Sequence, residues 1–194
     1  MKNIAVFASG SGSDMQSVID GTLSGLIDGK VVAVVTNKDG IFAIERAKKH
    51  GIDCKTFKAK DYGDNKSRDK AILEYLNGYD IDLIVLAGYL AIVTPVLVDE
   101  YEGRIINIHP SLIPKHCGKG MYGLNVHRSV IESGDKVSGC TVHYVDYGAD
   151  TGAIIAQEQV PVIEGDTPES LQARILEVEH TLLPSVVAKL CKAN

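Results

Sequence analysis

No two of the four cysteines form a C-x-x-C pair, because Cys54, Cys117, Cys140 and Cys191 are scattered along the chain. That spacing excludes a disulfide framework and a zinc ribbon, and it suits a reduced cytoplasm. An excess of positive charge is also missing. Twenty basic side chains face twenty-five acidic ones, a net charge of −5, so the field of the whole molecule repels nucleic acid and anionic membranes. Any anionic ligand must be held by local groups. Long apolar runs are absent too. Ile4 to Ala8 ends at Ser9-Gly10 and is too short for a signal peptide. The uncharged stretch Leu83 to Val98 is shorter than the roughly 20 residues of a membrane span, and Gly88, Thr94 and Pro95 interrupt it. It reads as a buried strand, a turn and the start of a helix. We find no internal repeat and no low-complexity tract.

The 194 residues fit one large α/β domain, able to bury about 70 % of its unfolded surface without metals or disulfides. In the first half, short β-branched runs alternate with helical patterns, the signature of βαβ units around a parallel sheet. Strands are expected at Ile4–Ala8, Val31–Val35, Cys54–Phe57, Leu83–Ala87 and Arg104–Ile108. Helices are expected at Asp14–Leu26, with Ser13 or Asp14 as cap, at Ile41–His50 and at Lys66–Leu76. After Pro110 the prolines and glycines from Pro114 to Gly123 mark a long irregular segment, followed by a short helix around His127–Glu132. Val137–Val145 and Ala153–Val162 read as an antiparallel pair joined by a Gly-rich turn. A long helix from Pro168 to near Leu190 closes the chain, with Thr167 as cap and with Pro184 expected to kink or divide it. The fold class is therefore an open, mostly parallel twisted sheet with an antiparallel C-terminal strand pair and a long C-terminal helix.

Several positions carry chemistry. Ser9-Gly10-Ser11-Gly12-Ser13 links the first strand to the first helix, where free N–H groups and the helix dipole favour an anion. An ordinary tight turn explains it equally well. The third glycine of a dinucleotide fingerprint is replaced by Met15 and there is no P-loop lysine, so a phosphomonoester is the better ligand. Asn107 and His109 alternate onto one side of a strand at its carboxyl end, where open α/β sheets place ligands. They offer an amide donor and an imidazole. Asp150 lies in a Gly-flanked turn, where an Asx-turn serving its own backbone is the simpler reading; a carboxylate near His109 would raise the imidazole pKa. His143 reads as a sheet histidine, and Glu177 and Glu179 beside His180 read as a solvated helix face. His116, Cys117 and His127 lack the fourth partner and the spacing of a zinc site.

Taken together, the Gly-Ser loop, Leu86-Ala87-Gly88-Tyr89, Asn107-Ile108-His109-Pro110-Ser111-Leu112-Ile113-Pro114, Gly139-Cys140-Thr141-Val142-His143 and Asp150-Thr151-Gly152 resemble the folate-dependent formyltransferases, specifically the phosphoribosylglycinamide formyltransferase family. The likeness runs from Lys2 to about Leu190. It implies a Rossmann-like formyltransferase fold and a single domain over 1–194, with a phosphate-binding half over about 1–100 and a catalytic and folate-binding half over about 101–194. It also implies Asn107, His109 and Asp150 as catalytic residues, and Gly12, Ser13, Asp14 and Glu179 as contacts to the ribotide, overturning the solvated reading of Glu179. Tyr89, Leu90, Ala91, Ile92 and Val93, with Asp146, Tyr147, Gly148 and Ala149, would line the folate pocket. Asp14 stands where the family usually has Asn, and Ala91 where many members carry Arg.

The reaction so implied moves a formyl group from 10-formyltetrahydrofolate, as co-substrate, to the amine of glycinamide ribonucleotide. Asn107 and a protonated His109 would hold the oxyanion, and Asp150 would keep His109 charged. No metal, nucleic acid or membrane is implied, and a homodimer stays open. Two rivals use the same residues differently: a formyltetrahydrofolate hydrolase with water as acceptor, and a non-catalytic phosphate-binding α/β module.

Overall fold

The computed structural model describes residues 1–192. Its elements run β1 (Lys2–Ala8), α1 (Ser13–Leu23), β2 (Gly29–Thr36), α2 (Phe42–Lys49), β3 (Asp53–Thr56), α3 (Ala59–Tyr62), α4 (Asn65–Leu76), β4 (Leu83–Leu86), α5 (Pro95–Glu100), β5 (Ile105–His109), α6 (Leu124–Ser133), β6 (Val137–Tyr144), β7 (Ile154–Pro161) and α7 (Pro168–Lys192). One seven-stranded sheet holds them in the order β3-β2-β1-β4-β5-β6-β7. The first five strands are parallel. β6 is antiparallel to β5, and β7 to β6.

Strand alternation builds two cores. On β1, Ile4, Val6 and Ala8 face one apolar cluster, shared with Met15, Val18 and Ile19 of α1 and with Leu183 and Val187 of α7. Ala5 and Phe7 face the other, shared with Ile72 and Leu76 of α4 and Leu97 of α5. Burial on both faces is why these strands read as continuous apolar runs rather than alternating ones.

Every expected strand and helix is present, with ends displaced by up to three residues. Three details differ. The start of α1 is capped by neither Ser13 nor Asp14, because Gly12 takes the cap position in a left-handed conformation without a side-chain cap bond. α7 is not divided at Pro184 but continues through it; proline has no N–H to donate, so only the His180 carbonyl loses its helical partner, while burial of Leu183 and Val187 holds the turns on either side. The short α3 carried no signal in the sequence. At the start of α7, Thr167 Oγ1 accepts the Ser170 N–H at 3.2 Å, as expected of a cap.

The chain turns from β1 leftward to β2 and returns through β4 on the other side of β1, so the crevice beyond the carboxyl ends of β1 and β4 is the switch point of the sheet. Ser9 binds the two strand ends together: its N–H donates to the Gly88 carbonyl at 3.2 Å, and its hydroxyl accepts the Leu90 N–H at 2.8 Å.

Candidate active site

Asn107 and His109 project from the same face of β5, and His143 stands directly across from Asn107 on β6. Two loops, residues 110–123 and 145–153, bring further groups to these side chains. Asp150 sits 3.6 Å from His109 Nδ1 through Oδ2 and 3.6 Å from His143 Nε2 through Oδ1. Asn107 Nδ2 donates to Asp150 Oδ1 at 3.5 Å and to His143 Nε2 at 3.1 Å. The Gly118 N–H donates to Asp150 Oδ2 at 2.9 Å, tying one loop to the other. The structure thus brings Asn107, His109 and Asp150 together. It also overturns the Asx-turn reading of Asp150, since Asp146 plays that part, accepting from Gly148 N–H and the Thr151 hydroxyl.

Backbone geometry aims Asp150 inward. The residue adopts φ 59°, a left-handed conformation that costs a non-glycine residue on the order of 1 kcal/mol. At Gly152 a side chain would collide with the Tyr144 carbonyl, which is how the loop folds back so tightly against β6.

Proton positions follow from the acceptors. A carbonyl only accepts, so the 2.9 Å contact between His109 Nε2 and the His116 carbonyl places a proton on Nε2. His143 Nδ1 likewise donates to the Tyr144 carbonyl at 2.8 Å, leaving Nε2 free to accept from Asn107 in the neutral ring. His143 therefore fixes which end of the Asn107 amide points into the site. For His109, burial pushes the pKa below its ordinary value, and the raising effects of the His116 carbonyl and Asp150 do not offset it. The rise in the His109 pKa expected from a neighbouring carboxylate is therefore outweighed by burial, which shifts the ring toward its neutral form. Asp150 feels burial upward, but the proximity of the His143 and His109 rings and the Gly118 N–H hold its carboxyl below the usual range. His127, buried nearby, is pushed down to about 4 by burial and by His109.

A second cluster lies at the start of α1. The first turn has no side-chain cap, and Arg46 from α2 donates through Nε to the Ser11 carbonyl at 2.9 Å. Gly12 is required here, since a side chain would meet Ala43 Cα at 2.9 Å. Ser13 remains partly exposed beside it. Glu179 is 6 % exposed, so the solvated-face reading fails for it while it stands for the exposed Glu177. The helical period turns Glu177 outward and Glu179 toward α1. Burial, with Asp14 as neighbour, raises the Glu179 carboxyl well above the usual value, and burial raises Asp14 to about 6.

The segment from Tyr89 to Val93 borders the switch-point crevice. Tyr89 is drawn into the core, its ring edge-on to Phe7 with centroids 5.2 Å apart. Ala91 and Val93 are half-buried, whereas Leu90 and Ile92 are exposed. The opposite loop exposes Tyr147, Gly148 and Ala149, and the Tyr147 hydroxyl donates to Asp99 at 2.6 Å. Reading the sequence missed what holds the first of these segments. Arg68 and Asp69 on α4 form a buried ion pair at 2.6 Å; Arg68 donates to the Ile92 carbonyl at 2.6 Å, and Asp69 accepts the Thr94 N–H at 2.6 Å. Two adjacent opposite charges in a helix carry no signal of burial. His143 was missed for a related reason, since its partner becomes visible only when the register of β5 on β6 is known.

Comparison with known proteins finds relatives over almost the whole chain. A family model described as formyl transferase matches residues 2–187. Phosphoribosylglycinamide formyltransferase of Haemophilus influenzae is 42 % identical over 187 residues, covering 96 % of this chain and 86 % of that protein. The chloroplastic phosphoribosylglycinamide formyltransferase of Arabidopsis thaliana is 42 % identical over 98 % of this chain, which spans 66 % of that longer relative. The crystal structure of glycinamide ribonucleotide transformylase 1 from Symbiobacterium toebii superimposes with a TM-score of 0.94 at 40 % identity, covering 99 % of this chain and 88 % of that one.

Proposed function

The chain belongs to the formyl transferase family, and from that premise we propose that it transfers the formyl group of 10-formyltetrahydrofolate to the amino group of glycinamide ribonucleotide, giving formylglycinamide ribonucleotide in purine synthesis. The observation that carries this reading is the meeting of Asn107, His109 and Asp150 on one face of β5. The ribotide amine attacks the formyl carbon, and the tetrahedral intermediate places negative charge on the former carbonyl oxygen. Asn107 Nδ2, held in orientation by His143, donates to that oxygen; its long 3.5 Å bond to Asp150 is the one given up. The amine must lose a proton and the folate nitrogen must gain one as the bond between them and the formyl carbon is exchanged. Neutral His109 can hold that proton on Nδ1, where the Asp150 carboxylate stabilises the resulting imidazolium.

On this reading Gly12, Ser13 and Asp14 hold the ribotide phosphate at the uncapped start of α1, and Glu179 meets the ribose. Tyr89, Leu90, Ala91, Ile92 and Val93 would face the folate across from Asp146, Tyr147, Gly148 and Ala149. Residues 1–194 act as one formyltransferase domain. Its phosphate-binding half, 1–100, depends on the catalytic and folate-binding half, 101–194, because α7 packs on α1 within the same apolar cluster. A cytoplasmic setting belongs to the same proposal. All four cysteines are free, and among the described residues no helix is long and apolar enough to cross a membrane.

The test mixes purified protein with 10-formyltetrahydrofolate, with and without glycinamide ribonucleotide, and follows folate absorbance. Turnover that requires both compounds supports the transfer. Turnover with the folate alone makes the protein a hydrolase, and no turnover with either leaves only a binding module.

A further inference from the structure

Two buried polar atoms face each other across the α1–α7 contact without a hydrogen-bond partner: Asp14 Oδ1 and His180 Nε2. They are 3.6 Å apart. A carboxylate oxygen only accepts, so this pair is satisfied when a proton lies between them, carried either by the ring as its Nε2–H tautomer or by the acid form of Asp14. Glu179, adjacent to His180 on α7 and 6 % exposed, adds a second buried carboxyl. We infer that Asp14, with Glu179 and His180, forms a proton-holding site that takes up one proton when the phosphate of the ribotide docks on the first turn of α1, so that ribotide affinity is set by pH through Asp14. This inference rests on the ribotide site proposed above.

The charges around the site make the sign definite. From α2, Arg46 lies close enough to lower the His180 pKa, after burial, which lowers it most. From α7 come Glu179 and His180 themselves. From β6, the Cys140 thiol is pushed up to about 12 by burial first, then by Glu179, Asp14 and the β7 residue Glu158, so it stays protonated and gives no charge. Among the α2 cations Arg46 is the one that acts on this cluster, through His180, and its hydrogen bonds go to the Ser11 carbonyl and Gln16 rather than to either carboxyl. A phosphate dianion brought to this end of α1 adds negative charge beside Asp14, disfavours its ionised form and raises its pKa from about 6. A proton is therefore taken from solvent on binding. The acid form turns Asp14 from an acceptor into a donor, able to satisfy His180 Nε2 or a phosphate oxygen. By linkage, affinity is flat in this group below pH 6 and weakens as pH rises above it, by up to tenfold per unit.

Isothermal titration of glycinamide ribonucleotide into the parent and into Asp14→Asn, at pH 6.5, 7.5 and 8.5 and in two buffers of different ionisation heat, reads both affinity and proton count. The ribotide's own phosphate and amine titrate alike in both experiments and cancel in the ratio of the two Kd values. The expected result is a parent-to-variant Kd ratio that rises at least tenfold from pH 6.5 to 8.5, with the variant taking up close to one proton fewer. A ratio constant within threefold, or equal proton counts, overturns the inference while leaving the ribotide site standing. If the ribotide binds neither protein, the site assignment falls and the inference falls with it. Asp14→Ser, equally without charge, replaces Asp14→Asn if that variant does not fold.

Discussion

Gly12→Ala is the substitution whose cost can be worked most directly from the structure. Gly12 has φ 71° and ψ 27° at the cap of α1. A side chain in that left-handed region costs roughly 1–2 kcal/mol. The added Cβ would also lie 2.9 Å from both Cα and Cβ of Ala43 and 3.1 Å from Met15 Cε. The methionine end can move aside, but Ala43 Cα belongs to the backbone of α2 and can yield only if that helix shifts. Overpacking of this kind adds about 1–3 kcal/mol, so the total is about 2–5 kcal/mol. For a domain of this size each kcal/mol lowers Tm by roughly 2–4 °C, which places the variant about 4–20 °C below the parent. Gly10→Ala is the matched control, because nothing lies within 4 Å of its Cβ, and its expected change stays within about 0.5 kcal/mol. Urea unfolding and thermal scans measure both. Steady-state kinetics should show the ribotide KM rising in Gly12→Ala with the folate KM little changed, since the displaced N–H groups lie on the ribotide side. A Gly12→Ala protein within 0.5 kcal/mol of its parent, or an equal loss in Gly10→Ala, refutes the steric argument.

The remaining expectations concern the sheet face and the loop above it. Asn107→Ala should lower kcat by roughly a hundredfold, since it removes a donor aimed at the developing oxyanion, while ribotide affinity measured by titration stays within threefold. His143→Phe keeps the ring volume but frees the Asn107 amide, and losing one orienting hydrogen bond of about 1 kcal/mol should reduce kcat roughly five- to tenfold without a matching rise in either KM. Asp69→Ala leaves Arg68 buried without its partner and should cost about 3–5 kcal/mol in urea unfolding; a loss under 1 kcal/mol would mean that Arg68 escapes to solvent. Asp150→Asn removes the charge that favours the His109 imidazolium, so an already depressed pKa should fall further. NMR titration of the His109 ring in both proteins reads it, and an unchanged pKa with lost activity would show that Asp150 acts by holding the Gly118 loop instead.

How much of the fold was visible in the sequence depended on the range of the forces that set it. The parallel strands were legible because burial on both faces demands unbroken apolar runs such as Leu83–Leu86, all four of which are buried. α3, four residues with none buried, left no periodicity to detect. The cap of α1 went to Gly12 rather than to Ser13 or Asp14, because Ala43 of the next helix comes too close to leave room for a side chain. Local propensity favoured the polar residues, and a contact from 31 positions away decided otherwise.

The site divides along the same line. Asn107 and His109 were legible since strand alternation alone places them together, and a polar pair ending an apolar strand is conspicuous. Asp150 needed the family resemblance, because its approach to His109 depends on a loop turning back through a left-handed residue. The charge of His109 was not legible at all. It is a difference between two tertiary quantities, the cost of burying an imidazolium and the attraction of one carboxylate 3.6 Å away, and the sequence supplies the size of neither. Had Asp150 been as close as a direct hydrogen bond, attraction would have gained. At 3.6 Å, with the same carboxylate already accepting from Gly118 and Asn107, burial prevails and the imidazole pKa is pushed below its ordinary value. A depressed pKa fits the role proposed for His109, since a ring shifted toward its neutral form is one that can accept the proton an attacking amine must shed.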